Sequence, residues 1–196
     1  MIQMKLSDLT IEQFQSLAAI ELSTVFSLHE KRIGVLAIME GKDPDDIMKM
    51  KVSEITRKYK QIVDQWNWLP EMRPISKFRA GNRWYHVSKE IDFMTAGQLI
   101  ELMSYDVKSE LKMVEDLHLI LASMSRRCLW FRWVPEPYDG SSHQVRADYL
   151  RKNAKVGHIW GAISFFLLTS QEFVKITNDY FANQTQKTKP VNGKHH

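Results

Sequence analysis

His29-Glu30 is the nearest approach to a zinc helix in this sequence, and it falls short. Such a helix needs a second His four residues after the first, on the same face, and Ile33 stands there. Gly34 and Gly41 are isolated and neither opens a strand-to-helix turn, so no glycine loop is set to cradle a phosphate. No Ser has the flanking glycines of a nucleophile elbow. His86, His118, His143 and His158 are scattered; His118 lies beside an apolar helical stripe and His158 within one, which suits structural roles. Cys128 has no activating His nearby in sequence and reads as a buried, inert thiol. Asp43, Asp45 and Asp46 cluster, but a calcium loop spreads its ligands through a glycine-containing turn, and Pro44 interrupts this one. The residues therefore point to no catalytic, cofactor-binding or metal-binding set, and to a protein that is not an enzyme.

Two other groups could recognise a partner. Lys49, Lys51, Arg57, Lys58 and Lys60 form a basic stretch followed by Trp66 and Trp68; Arg146, Arg151, Lys152 and Lys155 form a second. Bases stacked on aromatics beside phosphate-binding cations are how single strands are held. Trp66, however, shares a stripe with Ile55 and Ile62, which argues for core, so nucleic acid is not expected as the main partner. Trp130, Phe131 and Trp133 differ: they fall in a loop-like segment beside Arg132 and Pro135. Aromatics and Arg are enriched at interface hot spots. With Tyr138 they are the candidates for a partner-binding anchor; the alternative, that they fold back over the core, stays open.

The elements that must position these groups follow from periodicity and punctuation. The chain has 196 residues, 44% hydrophobic and 26% charged, with a net charge of +4, which is globular and only mildly basic. The single Cys128 excludes an internal disulfide and suits a reducing compartment. Met1 to Leu9 lacks the apolar core of a secretory signal, and the longest apolar stretch, Val156 to Leu168, is shorter than the roughly 20 residues that span a bilayer.

Ile2, Met4 and Leu6 alternate as in a half-buried strand. Thr10 with Gln13 makes a capping box for a first helix, and a second is expected over Ser23 to Glu40, with Phe26 inward and Gly41 as its stop. Asp43-Pro44 opens another turn, and a longer helix covers Ser53 to Trp66 with Arg57, Lys58 and Lys60 outward. Lys77 to Ala80 and Arg83 to Ser88 flank Gly81-Asn82 as a hairpin. Thr95 opens a helix to Tyr105, and another runs from Leu111 to Arg126. Cys128 to Gln144 reads as irregular, followed by helices over Gln144 to Lys152 and Val156 to Tyr180.

The chain also echoes itself at an offset of 85 residues. Thr10, Gln13 and Leu17 recur as Thr95, Gln98 and Leu102; Glu30, Leu36, Ala37 and Met39 recur as Glu115, Leu121, Ala122 and Met124. Ile2 and Leu6 likewise match Val87 and Ile91. The fold expected is α+β, mainly α, with two related strand-helix-helix units about a pseudo-twofold axis. A small antiparallel sheet would join the β-hairpin and the N-terminal strand. The first unit is residues 1–75; the second is 76–183, with an insertion at 128–144; residues 184–196 are a disordered basic tail. The two units would stand apart or pack as one compact domain.

The block Thr95-Ala96-Gly97-Gln98-Leu99-Ile100-Glu101-Leu102, then Asp116-Leu117-His118-Leu119-Ile120-Leu121-Ala122, resembles small proteins of bacteriophage tail modules. Tyr138-Asp139-Gly140, Arg146-Ala147-Asp148 and Phe165-Phe166 extend the resemblance, which spans about Trp84 to Leu168. Some of those proteins are tail assembly chaperones. The resemblance implies a non-enzymatic protein, without cofactors, that binds an unassembled tail component such as the tape-measure protein. The alternatives are a virion structural protein and a basic nucleic-acid-binding accessory protein. The implied partners are a phage tail or other virion protein, or a second copy of the chain, and no membrane. The implied location is the host cytoplasm during assembly, or the virion for a structural protein. The Trp130 to Trp133 stretch departs from the pattern and leaves the partner open.

Overall fold

The computed structural model of the chain describes residues 5–66, 75–88, 94–105, 110–129 and 134–162, which are mainly helical with one small antiparallel sheet. In order they form α1 (Ile11–Leu22), α2 (Leu28–Glu40), α3 (Pro44–Met48), α4 (Val52–Trp66), β1 (Lys77–Ala80) and β2 (Arg83–Val87). Then come α5 (Ala96–Met103), α6 (Glu110–Met124), β3 (Ser125–Arg127) and α7 (His143–Asn153). Residues 156–162 are again helical.

Helix starts obey local chemistry. The Gln13 amide donates to Thr10 Oγ1 at 3.2 Å while the Thr10 amide donates to Gln13 Oε1 at 2.9 Å. Thr95 and Gln98 make the same exchange at 3.3 and 3.2 Å, so each box satisfies two otherwise orphaned amides. A third box opens α2: Ser27 Oγ accepts from the Glu30 amide at 3.3 Å and Glu30 accepts from the Ser27 amide at 2.7 Å. That cap starts the helix at Leu28, not at Ser23, and leaves Phe26 in the preceding loop, 47% exposed where an inward side chain was expected. Asp43 caps α3 with Pro44 at its first position, and Gly41 ends α2 in the left-handed region at φ 62°.

The sheet corrects one expectation. Leu6 belongs to a 3-10 turn, Leu6–Asp8, and not to a strand; Ile2 and Met4 lie outside the described residues. The third strand is instead Ser125–Arg127, which had read as the end of a helix. It pairs antiparallel with β2 in the order β1-β2-β3, with Tyr85 opposite Arg127 and His86 opposite Arg126. Ser125 Oγ donates to the Leu121 carbonyl at 2.6 Å, using an acceptor that the next helical turn would have needed. Beyond β3 the chain turns back, with a bridge between Cys128 and Pro135 and a Leu129 N–H bond to the Val134 carbonyl at 3.0 Å. The helix expected beyond residue 162, the basic tail and most of the expected mid-chain boundary lie outside the described residues.

The hairpin forms as its turn residues dictate. Gly81 sits at φ 55°, and its backbone meets α7 so closely that a Cβ would stand 2.6 Å from the Tyr149 hydroxyl. That hydroxyl reaches the Ala80 carbonyl at 3.2 Å and Asn82 Oδ1 at 2.9 Å.

Buried residues form two cores. One gathers Leu9, Leu17, Ile33, Leu36, Ile47 and Ile55; the other gathers Phe78, Tyr85, Leu102, Leu117, Leu121 and Leu150. They interlock, because Val156 enters the first, Ile11 enters the second and Phe14 packs against both. Gln15 adds a polar tie from α1 to the start of α6, donating to the Val114 and Glu115 carbonyls at 3.0 and 2.8 Å.

Candidate functional site

The described residues gather polar chemistry in one place, where α5, α6 and the start of α7 meet. Gln98 is fully buried, and its Nε2 donates to the Ser123 carbonyl at 2.9 Å. One turn later on α5, the Glu101 carboxylate accepts a hydrogen bond from the Tyr138 hydroxyl and faces His143 Nε2 at 3.4 Å. Ser123 Oγ lies 3.0 Å from that same nitrogen and 3.2 Å from the Leu119 carbonyl. Arg146, one turn into α7, donates from Nε to the Ala122 carbonyl at 3.1 Å, and its guanidinium lies 5.2 Å from the centre of the Tyr138 ring.

Ser, His and Glu in contact invite comparison with a nucleophilic triad, and the geometry answers it. A triad needs the serine on Nε2 and the acid on Nδ1, so that a proton taken from one side is balanced on the other. Here Ser123 and Glu101 both face Nε2. The Leu119 carbonyl, 3.3 Å away, and the Glu101 carboxylate are acceptors only, so Nε2 carries a hydrogen and is no base towards Ser123. Ser123 is also fully buried within α6. The His143 pKa lies below the ordinary value of 6.5 because burial disfavours the cation more than Glu101 favours it. The cluster is a neutral-imidazole clamp that fastens the Tyr138–His143 segment to α5 and α6. Its members are dispersed in sequence, and only pairs such as Gln98 with Glu101, or His143 with Arg146, share a helix face in a way the sequence displays.

The second place is apolar. A groove of about 360 Å³ runs between α1 and α6, lined by Gln15, Ala18, Ala19, Leu22, Val114 and Glu115. Its lining ends at Leu22 and Ser23, where α1 gives way to the α1–α2 loop, and from there to the start of α2 Leu22, Val25, Phe26 and Leu28 are 54, 88, 47 and 59% exposed. Four exposed apolar residues within seven positions are unlike the single scattered ones of an ordinary surface.

The residues singled out from sequence are dispersed. Trp130, Phe131, Arg132 and Trp133 lie outside the described residues, between Leu129 and Val134, which are hydrogen-bonded and about half exposed. Tyr138 is half-buried and committed to Glu101. Of the first basic stretch, Lys58 is drawn inward to Glu40 at 2.6 Å and Lys49 pairs with Asp46 at 2.7 Å; Lys51, Arg57 and Lys60 are exposed. Burial opposes ionisation of Glu40, but the hydrogen bonds from Lys42 and Lys58 outweigh it and hold the carboxyl below its usual range. Cys128 is buried, and burial pushes its thiol pKa up, which removes thiolate character. His118 and His158 are also lowered by burial; His158 stacks on Phe78 with ring centres 5.3 Å apart.

Among the described residues no three His, Cys, Asp or Glu side chains gather to hold a metal ion, and no helix is long and apolar enough to cross a membrane. No family model matches the chain, and no curated protein or solved structure matches it.

Proposed function

We propose that this chain is a non-enzymatic bacteriophage tail-module protein, an assembly chaperone that holds an apolar segment of an unassembled tail component in the host cytoplasm. The observation that carries the reading is the α1–α6 groove, lined in part by exposed Leu22, together with the exposed Val25, Phe26 and Leu28 that follow it in sequence. An assembly chaperone covers apolar segments of its client until assembly buries them, and an apolar groove beside exposed hydrophobic residues suits that task. The polar cluster supports the non-enzymatic side of the reading, since its serine and acid compete for one imidazole nitrogen. The resemblance of Thr95 to Leu102 and Asp116 to Ala122 to tail-module proteins supplies the biological setting. Leu129 and Val134, exposed at either end of Trp130 to Trp133, offer a second apolar contact.

Mass spectrometry of purified particles against infected-cell lysate tests the proposal. The chain is expected in the lysate and missing from the particles. Presence in particles at a fixed copy number overturns the chaperone reading in favour of a virion structural protein.

A further inference from the structure

The 85-residue echo persists in the folded chain. Leu17, Leu36, Ala37 and Met39 are buried, and so are their counterparts Leu102, Leu121, Ala122 and Met124. Both capping boxes form, so α1 with α2 and α5 with α6 are helix pairs built on one plan. The same offset relates the outward faces of the two pairs, and there the surroundings part.

In the first pair, α1 turns Ile11, Gln15, Ala18 and Ala19 towards the second. Ile11 joins the core that holds Leu117 and Ile120 of α6. Gln15 bonds to the Val114 and Glu115 carbonyls, and Ala18 and Ala19 line the groove that Val114 and Glu115 close from the other side. In the second pair the counterparts are Ala96, Ile100 and Met103 on α5, and Ser104 at its cap. All four are exposed, Ile100 by 72% and Met103 by 63%. Their spacing of four, three and one puts them on one helix face, and that face carries no charge. Glu101, the charged residue of α5, is turned aside to Tyr138 and His143.

The complementary surface is open as well. Val114, Glu115 and His118 of α6 receive Gln15, and their counterparts in the first pair are His29, Glu30 and Ile33. At the helix start, Glu110 and Leu111 correspond to Val25 and Phe26. Ile33 is taken up by the first core, whereas Val25, Phe26, His29 and Glu30 are exposed, and the Glu30 carboxylate is spent on the Ser27 cap. The chain therefore shows, inside itself, an α1 face covered by the start of α6, and leaves the matching α5 face and the matching start of α2 uncovered. Two different patches that fit one another by this internal precedent make a head-to-tail contact, unlike a single patch that pairs with itself.

We propose that a second copy of this chain covers them, with α5 of one copy packed on the start of α2 of the next. Ile100 and Met103 lie against Val25 and Phe26, repeating between copies the α1–α6 contact within each. Every copy offers one patch of each kind, so association runs head to tail, into a ring or a filament according to the rotation per step. Val25 and Phe26 also belong to the surface proposed for the client, so the test contains the purified chain alone.

Sedimentation velocity of the full chain across the micromolar range is the measurement. The average mass is expected to rise with concentration above the 23.0 kDa of a single chain. Ile100→Lys removes one patch and Val25→Lys the other; each variant alone should associate at least tenfold more weakly. Mixed in equal amounts, the two should recover association but stop at a pair, because each keeps the patch that the other has lost. Val145→Lys, at a 70% exposed apolar position on α7, should leave association within twofold. Circular dichroism and the unfolding midpoint establish that each variant is folded, and Met103→Lys replaces Ile100→Lys should the latter not fold. A wild-type chain that keeps the single-chain mass throughout overturns the proposal, as does undiminished association of either patch variant or an equal loss in Val145→Lys. Monomers alone in the mixture overturn it in favour of a face that pairs with itself.

Discussion

Thr10 with Gln13 and Thr95 with Gln98 open two helices through the same pair of residues, the same spacing and the same reciprocal bonds. Their surroundings differ. Gln13 is half-buried and spends its side chain on the cap, whereas Gln98 has no exposure at all and adds a bond from Nε2 to the Ser123 carbonyl. Around α1 the neighbouring surface is the apolar groove and the exposed α1–α2 loop. Around α5 it is the polar clamp of Glu101, Tyr138, His143 and Ser123. One local motif therefore performs two tasks: it starts a helix beside an open apolar face in the first place, and it seeds a buried network in the second.

The largest difference should appear on removing the two glutamines. Gln98→Ala loses a cap, about 1 kcal/mol, and strands the Ser123 carbonyl, a further 1–3 kcal/mol or so. A total loss of about 3 kcal/mol is expected, against about 1 kcal/mol for Gln13→Ala. Urea denaturation of the two variants measures both, and equal midpoints would erase the distinction. The next effect is on pH. His118, His143 and His158 all have folded pKa values lowered by burial, so below about pH 6.5 the unfolded chain binds more protons than the folded one. Stability from these groups is complete above 6.5 and declines as pH falls towards their folded values. The unfolding temperature should hold between pH 7 and 8 and drop between pH 6.5 and 5, with part of the drop removed in His143→Gln; a level profile down to pH 5 contradicts the buried-neutral assignment. The smallest effect on stability belongs to the open face. Val25→Ser, at an 88% exposed position, should move stability by less than about 0.5 kcal/mol while weakening co-purification of the proposed tail-component client. A stability loss above about 2 kcal/mol would make Val25 a core residue and remove it from the proposed docking surface.

Local signals were legible in the sequence. Two capping boxes, Asp43-Pro44, the Gly81-Asn82 hairpin and the Ile55–Ile62 stripe each rest on residues within a turn or two of one another, and all are in place. Ser27 with Glu30 was equally local, but it lies inside a continuous helical-looking run that conceals the break before Leu28. What could not be read was joined across the chain. Lys58 looks outward on α4 until α2 brings Glu40 to within 2.6 Å of it. His143 looks solitary until α5 and α6 supply Glu101 and Ser123. Arg126 and Arg127 come to lie beside His86 and Tyr85 only because residues 125–127 leave the helix and pair with β2. The three-residue strand is too short to carry a period of its own, so no pattern in the sequence marks it.

The bridge between Thr10 and Lys155 sets a schedule for synthesis. The Ile11 amide bonds to the Ala154 carbonyl, and the Val156 amide bonds to the Leu9 carbonyl. At elongation rates of about 5–20 residues per second, the partners of residues 9–11 emerge roughly 7–30 s after them. Through that interval Ile11 lacks the buried neighbours it will join, and the first core lacks Val156. The N-terminal helices must wait, part-formed, for the chain to return, so a nascent chain stalled before residue 154 should remain open to proteases long after α1 to α4 have left the ribosome.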